Sequence, residues 1–121
     1  MFFITSNKSK QLLYFSFIGR VEVEELARGM ADLAGQLAEL EPGFRVLGDL
    51  ERLESMCVGG SAEIGKAMEL CDQKGVGFIV RVIPDQAKDI GFGILASFHY
   101  RQAPRTATCT SMAEAAKLLS L

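Results

Sequence analysis

Apolar and polar residues follow two different periods along the chain, and the change of period divides it into elements. Residues 2–6 and 12–18 are apolar and rich in aromatic and β-branched side chains, and the turn residues Asn-Lys-Ser-Lys lie between them. This pattern predicts an antiparallel β-hairpin whose second strand ends at Gly19. Residues 23–40 instead place apolar side chains at helical spacing, with acidic residues at the start and Pro42 after the end, which predicts one amphipathic helix.

The two periods continue to alternate through the rest of the chain. Further strands are expected at residues 44–50, 76–83 and 106–110, and further helices at residues 61–73, at residues 86–100 and after Ser111, with residues 51–60 as a loop. Ser111 and Glu114 have the spacing of a capping box for the last helix. The order ββαβαβαβα predicts an α/β fold with a mixed, mostly parallel five-stranded sheet.

Polar residues recur inside the predicted strands. Arg45, Leu47 and Asp49 share one face of a predicted strand, so that face is half polar. On the next strand Arg81 shares a face with Ile79 and Ile83, and on the last strand Thr106, Thr108 and Thr110 share one face. Because a sheet buried on both faces is apolar throughout, we expect the helices mainly on one face and the other face partly open.

The 121 residues fit one domain spanning residues 1–121. A net charge of −2 without a basic stripe argues against nucleic-acid binding. No apolar run reaches the ~20 residues of a membrane span. Three widely separated cysteines (Cys57, Cys71 and Cys109) argue against a disulfide framework, so a cytoplasmic location is expected.

No motif in the sequence meets the requirements of catalysis, of a metal site or of a cofactor site. Gly60 to Lys66 matches the spacing G-x-x-x-x-G-K of a phosphate-binding loop, but Ala67 replaces the hydroxyl residue that would bind Mg²⁺. His99 is the only histidine, and a lone histidine near a helix end is usually a surface or capping residue. We therefore expect a protein that is not an enzyme and that carries no cofactor or metal.

The element order, with Gly-Arg-Val-Glu-Val-Glu-Glu-Leu (residues 19–26) opening the first helix after the hairpin, resembles the STAS family. This family includes anti-sigma-factor antagonists and the cytoplasmic tails of sulfate transporters, and the likeness is greatest to bacterial single-domain SpoIIAA-like (STAS/SEC14-like) proteins. The antagonists carry an Asp-Ser-Ser-Gly turn whose serine is phosphorylated by a partner kinase. Here Asp49 matches a strand-end aspartate of the family, but the turn is Cys57-Val58-Gly59-Gly60, and Ser61 follows it.

The resemblance implies a regulatory module that binds a protein, with a kinase-like or anti-sigma-factor-like partner and with a homodimer as a further option. The expected switch or interaction loop comprises Ser55, Cys57, Val58, Gly59, Gly60 and Ser61. Ser61 either is a phosphorylation site or caps the following helix through its hydroxyl. A second interpretation, implied by SEC14-type domains, is a domain that binds a small apolar ligand or lipid in a pocket formed by Met56, Ile90, Ile94 and Phe98. An enzyme using Cys57 or His99 is the third.

Overall fold

The computed structural model describes residues 1–57, 59–85, 96 and 99–121. Its strands are β1 (Phe2–Asn7), β2 (Leu12–Val21), β3 (Arg45–Met56), β4 (Phe78–Val82) and β5 (Arg105–Cys109). Its helices are α1 (Val23–Ala31), α2 (Leu33–Ala38), α3 (Gly60–Lys74) and α4 (Met112–Leu118). The helix expected at residues 86–100 falls largely outside the described residues.

The strands form one five-stranded sheet in the order β1-β2-β3-β4-β5. β1 pairs antiparallel with β2, and the other three pairings are parallel. Each parallel connection needs a crossover, and α1 with α2 and then α3 supply the first two. The predicted mixed, mostly parallel α/β sheet is therefore confirmed.

The sheet separates two apolar cores. The larger one lies between the sheet and α1, α2 and α3, and includes Leu13, Val46 and Ile79. The smaller one lies on the opposite face, where Leu47 and Val80 pack with residues of α4. The helices lie mainly on one face, as predicted, and α4 covers part of the other.

Arg81 does not lie on the partly open face of the sheet, although the predicted open face was inferred in part from this residue. It shares its face with Ile79, and it lines the larger core beside Tyr100. Arg45 and Asp49 do lie on the opposite face with Leu47, where Asp49 accepts a hydrogen bond of 3.0 Å from the Tyr14 hydroxyl. The sequence pattern showed correctly which residues of one strand share a face. It could not show which face of one strand corresponds to which face of its neighbour.

Two strands are longer than predicted, and one predicted helix is divided. β2 continues past Gly19 to Val21, and β3 continues to Met56, so most of the expected loop at residues 51–60 is strand. Pairing continues there through two register shifts, and Leu53 is buried while its neighbours Arg52 and Glu54 are exposed. The helix expected at residues 23–40 is interrupted at Asp32, where neither proline nor glycine marks the break.

The last helix, α4, begins at the cap that the sequence pattern predicted. The Ser111 hydroxyl accepts a hydrogen bond of 3.2 Å from the Glu114 amide, as an N-cap does. The Glu114 carboxylate accepts a bond from the Thr110 hydroxyl. None of the helices in the described part of the chain has the length and apolar character that crossing a membrane requires.

Two glycines give a test of the packing. A Cβ on Gly77 would lie 2.9 Å from the Gly43 carbonyl oxygen, whereas a Cβ on Gly35 would meet nothing within 4 Å. Gly77→Ala should lower the free energy of unfolding by about 1–3 kcal/mol, because backbone cannot move aside as a side chain can. Gly35→Ala should raise it by about 0.5–1 kcal/mol through helix propensity. Urea unfolding measures both changes, and a Gly77→Ala protein as stable as the wild type would contradict this packing.

Candidate functional site

The predicted interaction loop lies at the carboxyl edge of the sheet, where Ser55 is in β3 and the described residues Cys57 and Gly59 to Ser61 form a bend. The pairing of β4 with β3 ends at Val82 and Asp49, whereas β2 and β3 stay paired as far as Val21 and Met56. The two strands therefore extend beyond β4 and carry the bend at their end. α3 begins immediately after it, so the bend connects a strand end to a helix N-terminus.

Backbone contacts fix the shape of the bend. The Cys57 amide donates to the Val21 carbonyl at 3.0 Å, and the Gly60 amide donates to the Cys57 carbonyl at 3.1 Å. Gly59 is the N-cap of α3 and has φ +95°, a left-handed conformation that glycine adopts without steric cost. The bend is thus tied to the end of β2 and turned by a glycine.

Gly60 allows the bend to pack closely against the core. A Cβ at this position would lie 2.7 Å from Met56 Cγ and Sδ and 3.3 Å from Leu26 Cδ1. Any larger residue would have to push the Met56 side chain away from the start of α3. The glycine therefore lets the helix end rest directly on the core.

The described residues of the predicted loop differ in exposure. Ser55, Gly59 and Ser61 are exposed, Cys57 is half-buried and Gly60 is buried. Val58 lies outside the described residues. The interpretation of Ser61 as the helix cap is wrong, because Gly59 occupies the N-cap and no side chain caps α3. Ser61 is the second residue of the helix and is exposed.

An exposed stripe runs from the bend along α3. Its members are separated by one turn and are all exposed: Ala62, Lys66, Glu69 and Gln73. Lys66 pairs with Glu63 at 3.3 Å near the start of the stripe. Together the bend and the stripe form one continuous surface, which we call the bend–α3 surface.

His99 packs on α3 in a way that the sequence did not indicate. Its Nδ1 lies 2.7 Å from Glu69 Oε1, and a Cβ on Gly65 would lie 2.6 Å from its Nε2. Gly65 is therefore the position that admits the imidazole ring. The expectation of a surface or capping histidine missed this contact, although a glycine inside a helical pattern is a recognised signal of close packing.

The residues after His99 continue along α3. Gln102 donates to Asp72 twice, from its backbone amide to the carboxylate and from its side chain to the carbonyl, each at 3.1 Å. The first of these bonds gives the carboxylate of Asp72 a partner, which a polar residue with only 6% exposure requires. Tyr100, which lies between His99 and Gln102 in the chain, packs against the larger core. Burial raises the pKa of its hydroxyl above the ordinary value.

A cavity of about 60 Å³ lies in the larger core between the sheet and α3. Its described walls are apolar side chains of both layers, such as Phe15, Val46, Ile64 and Met68, together with Arg81 and Tyr100. Of the ligand pocket predicted from sequence, Met56 lies under Gly60, and Ile90, Ile94 and Phe98 fall outside the described residues. That pocket stays a prediction.

The arrangement gives little support to nucleophilic or metal chemistry. Cys71 is buried, and this burial raises the pKa of its thiol to about 12, so the thiol is unreactive near neutral pH. Within the described ranges no hydrogen bond joins Cys57 to His99. The same ranges contain no group of three histidine, cysteine, aspartate or glutamate residues that could hold a metal ion.

The sequence matches no protein-family model, and no curated protein matches it. The fold, however, matches solved structures over nearly its whole length. The anti-sigma factor antagonist SpoIIAA in its unphosphorylated form aligns with TM-score 0.72 and 11% identity over 99% of this chain and 98% of its own. An uncharacterized DUF3478-family protein with a SpoIIAA-like fold from Shewanella loihica PV-4 aligns with TM-score 0.72 and 15% identity, covering 98% of this chain and 92% of its own.

The Bacillus cell fate determinant SpoIIAA in its phosphorylated form aligns with TM-score 0.64 and 12% identity, over 98% of this chain and 99% of its own. At these identities the likeness is one of fold. The chain therefore has the SpoIIAA-like fold, which confirms what the element order predicted.

The contact between Gly65 and His99 can be tested with a double-mutant cycle. In a His99→Ala background, Gly65→Ala should stabilise the protein by about 0.5–1 kcal/mol, because only helix propensity changes. In the wild type the same substitution should lose most or all of this gain, because the new methyl group displaces the ring from Glu69. Gly35→Ala serves as the control, since its effect should be equal in both backgrounds. Equal effects of Gly65→Ala in the two backgrounds, measured by urea unfolding, would contradict the contact.

Proposed function

We propose that this chain is a non-enzymatic regulatory module that binds a protein partner through the bend–α3 surface. The observation that carries the proposal is the bend itself, which exposes Gly59 and Ser61 and yet is held by a hydrogen bond to Val21 and by close packing on Met56. A surface that is fixed before binding loses little conformational freedom on association, which favours its use in recognition.

The fold supports a partner of the anti-sigma-factor type. SpoIIAA, whose fold this chain shares, is an anti-sigma factor antagonist with an unphosphorylated and a phosphorylated form. A kinase-like protein is the other candidate that the family resemblance suggests. A homodimer is a further option, since β1 and β5 are the outer strands of the sheet.

Regulation by phosphate at the bend is less well supported than binding. The bend holds one serine, Ser61, in place of the Asp-Ser-Ser-Gly turn of the antagonists. A phosphate on Ser61 would be favoured by the helix N-terminus, but the position is shifted relative to the family turn. We therefore propose a module that works without this switch, and intact-mass analysis of protein from its native host checks this point.

Binding of a lipid or other large apolar ligand remains the alternative. Pockets for drug-sized ligands occupy about 300–1,000 Å³, whereas the cavity in the core measures about 60 Å³. This difference favours the protein-binding role over lipid binding.

Two exposed alanines in the first turns of two helices give a matched test. Ala62 lies on the bend–α3 surface, and Ala113 lies at the start of α4 on the opposite face of the sheet. The tagged chain should recover a partner from lysate of the native host, and the purified partner should then bind with measurable affinity by calorimetry. Ala62→Arg should weaken this binding by about tenfold or more, because it puts a bulky charge into the contact.

Ala113→Arg should leave the affinity within about twofold of the wild type, since rim and distant charges contribute little. Ser61→Asp should weaken binding as Ala62→Arg does if the contact includes the bend. Equal binding by the wild type and Ala62→Arg would contradict the proposed surface. A partner that binds wild type and Ala62→Arg alike but loses affinity with Ala113→Arg would assign the contact to the α4 face.

A further inference from the structure

Gly48 occupies an unusual position for a glycine. It lies in the middle of β3, is buried, and pairs in regular register with Phe15 on one side and Arg81 on the other. Glycine weakens a strand interior, and it often marks a bulge, a sharp bend or a place where another group approaches closely. The register shifts of this sheet lie further along β2 and β3, so a bulge does not account for Gly48.

Packing does not require glycine at this position either. A Cβ on Gly48 would lie 3.5 Å from Leu50 Cδ1 and 3.9 Å from Arg81 Cγ, which are ordinary van der Waals distances. Its φ is not in the left-handed region. An alanine would therefore fit, and the glycine instead leaves space on the wall of the cavity. Ala67 of α3 leaves further space on another wall.

The cavity is sized for a small molecule. At about 10–15 Å³ for each water-sized group, its volume of about 60 Å³ accommodates roughly four to six such groups. We propose that this cavity is a binding site for a small, neutral, apolar molecule of about four non-hydrogen atoms. The ligand is smaller than the lipid predicted from sequence, and the proposal is independent of the protein-binding role.

The surroundings favour a neutral ligand over an anion. Arg81 approaches Gly48 with its aliphatic Cγ, so its stem forms part of the apolar wall. Apart from Arg81, the described walls are apolar side chains, the Gly48 backbone, Cys71 and the buried Tyr100. A ligand carboxylate would have to lose its hydration among these mostly apolar groups, which is costly. A neutral apolar molecule loses no such hydration.

Three branched molecules of equal size test the class of ligand: isobutene, acetone and acetate. Each is titrated into the full chain at neutral pH, with the methyl resonances of Val46, Ile64 and Met68 followed by NMR. Isobutene should shift these resonances saturably, acetone should bind at least tenfold more weakly, and acetate should leave them unchanged. Saturable binding of acetate in preference to isobutene would overturn the neutral class.

Gly48→Ala tests the location. It should fold with equal or greater stability, since its methyl group meets only ordinary contacts, and it should weaken isobutene binding at least tenfold. Gly35→Ala, on the exposed side of α2, is the control and should bind as the wild type does. If isobutene fails to bind the wild type, or binds Gly48→Ala equally well, the cavity is a packing gap and the proposal is wrong. Cys71→Ala, which enlarges the cavity, should strengthen binding, whereas Cys109→Ala on the other face should not.

Discussion

The pairing of β3 with β2 along its length is the constraint on which the rest of the structure depends. Where β4 also pairs with it, β3 supplies residues to both cores, with Val46 on one side and Leu47 on the other. Beyond Asp49 only the β2 side of this pairing continues, and it brings Val21 beside Met56. The bend, the start of α3 and therefore the proposed contact surface all take their position from this one ladder.

Much of the fold could be predicted from the sequence, because hydrophobic periodicity reports which residues face a core. The hairpin, the alternation of strands and helices and the cap at Ser111 all have local signals of this kind. The extension of β3 had none, because Glu51, Arg52 and Glu54 face solvent and together resemble a polar loop. A strand with an exposed stretch cannot be distinguished from a loop unless its partner strand is known.

The same limit applies to the site. The glycines and the family resemblance pointed to the segment that ends at Ser61, and its role as the interaction site stays a prediction. The packing of Gly60 and Gly65 depends on residues that only the fold brings near. Gly65 faces His99, and Gly60 faces Leu26 of α1. Gly65 could be recognised in the sequence as a glycine inside a helical pattern, whereas its contact with His99 could not.

The bend derives its shape from Gly59, from the Met56 side chain beneath Gly60 and from backbone hydrogen bonds. The exposed side chains at Ser55, Ser61 and Ala62 contribute little to that shape. Substitutions at these exposed positions can therefore change the side chains on the surface of the bend without changing the fold. The fold itself persists among chains with only 11–15% identity to this one. Under the proposed function, recognition and folding would rest on separate sets of atoms, and new binding specificities could evolve without a change of fold.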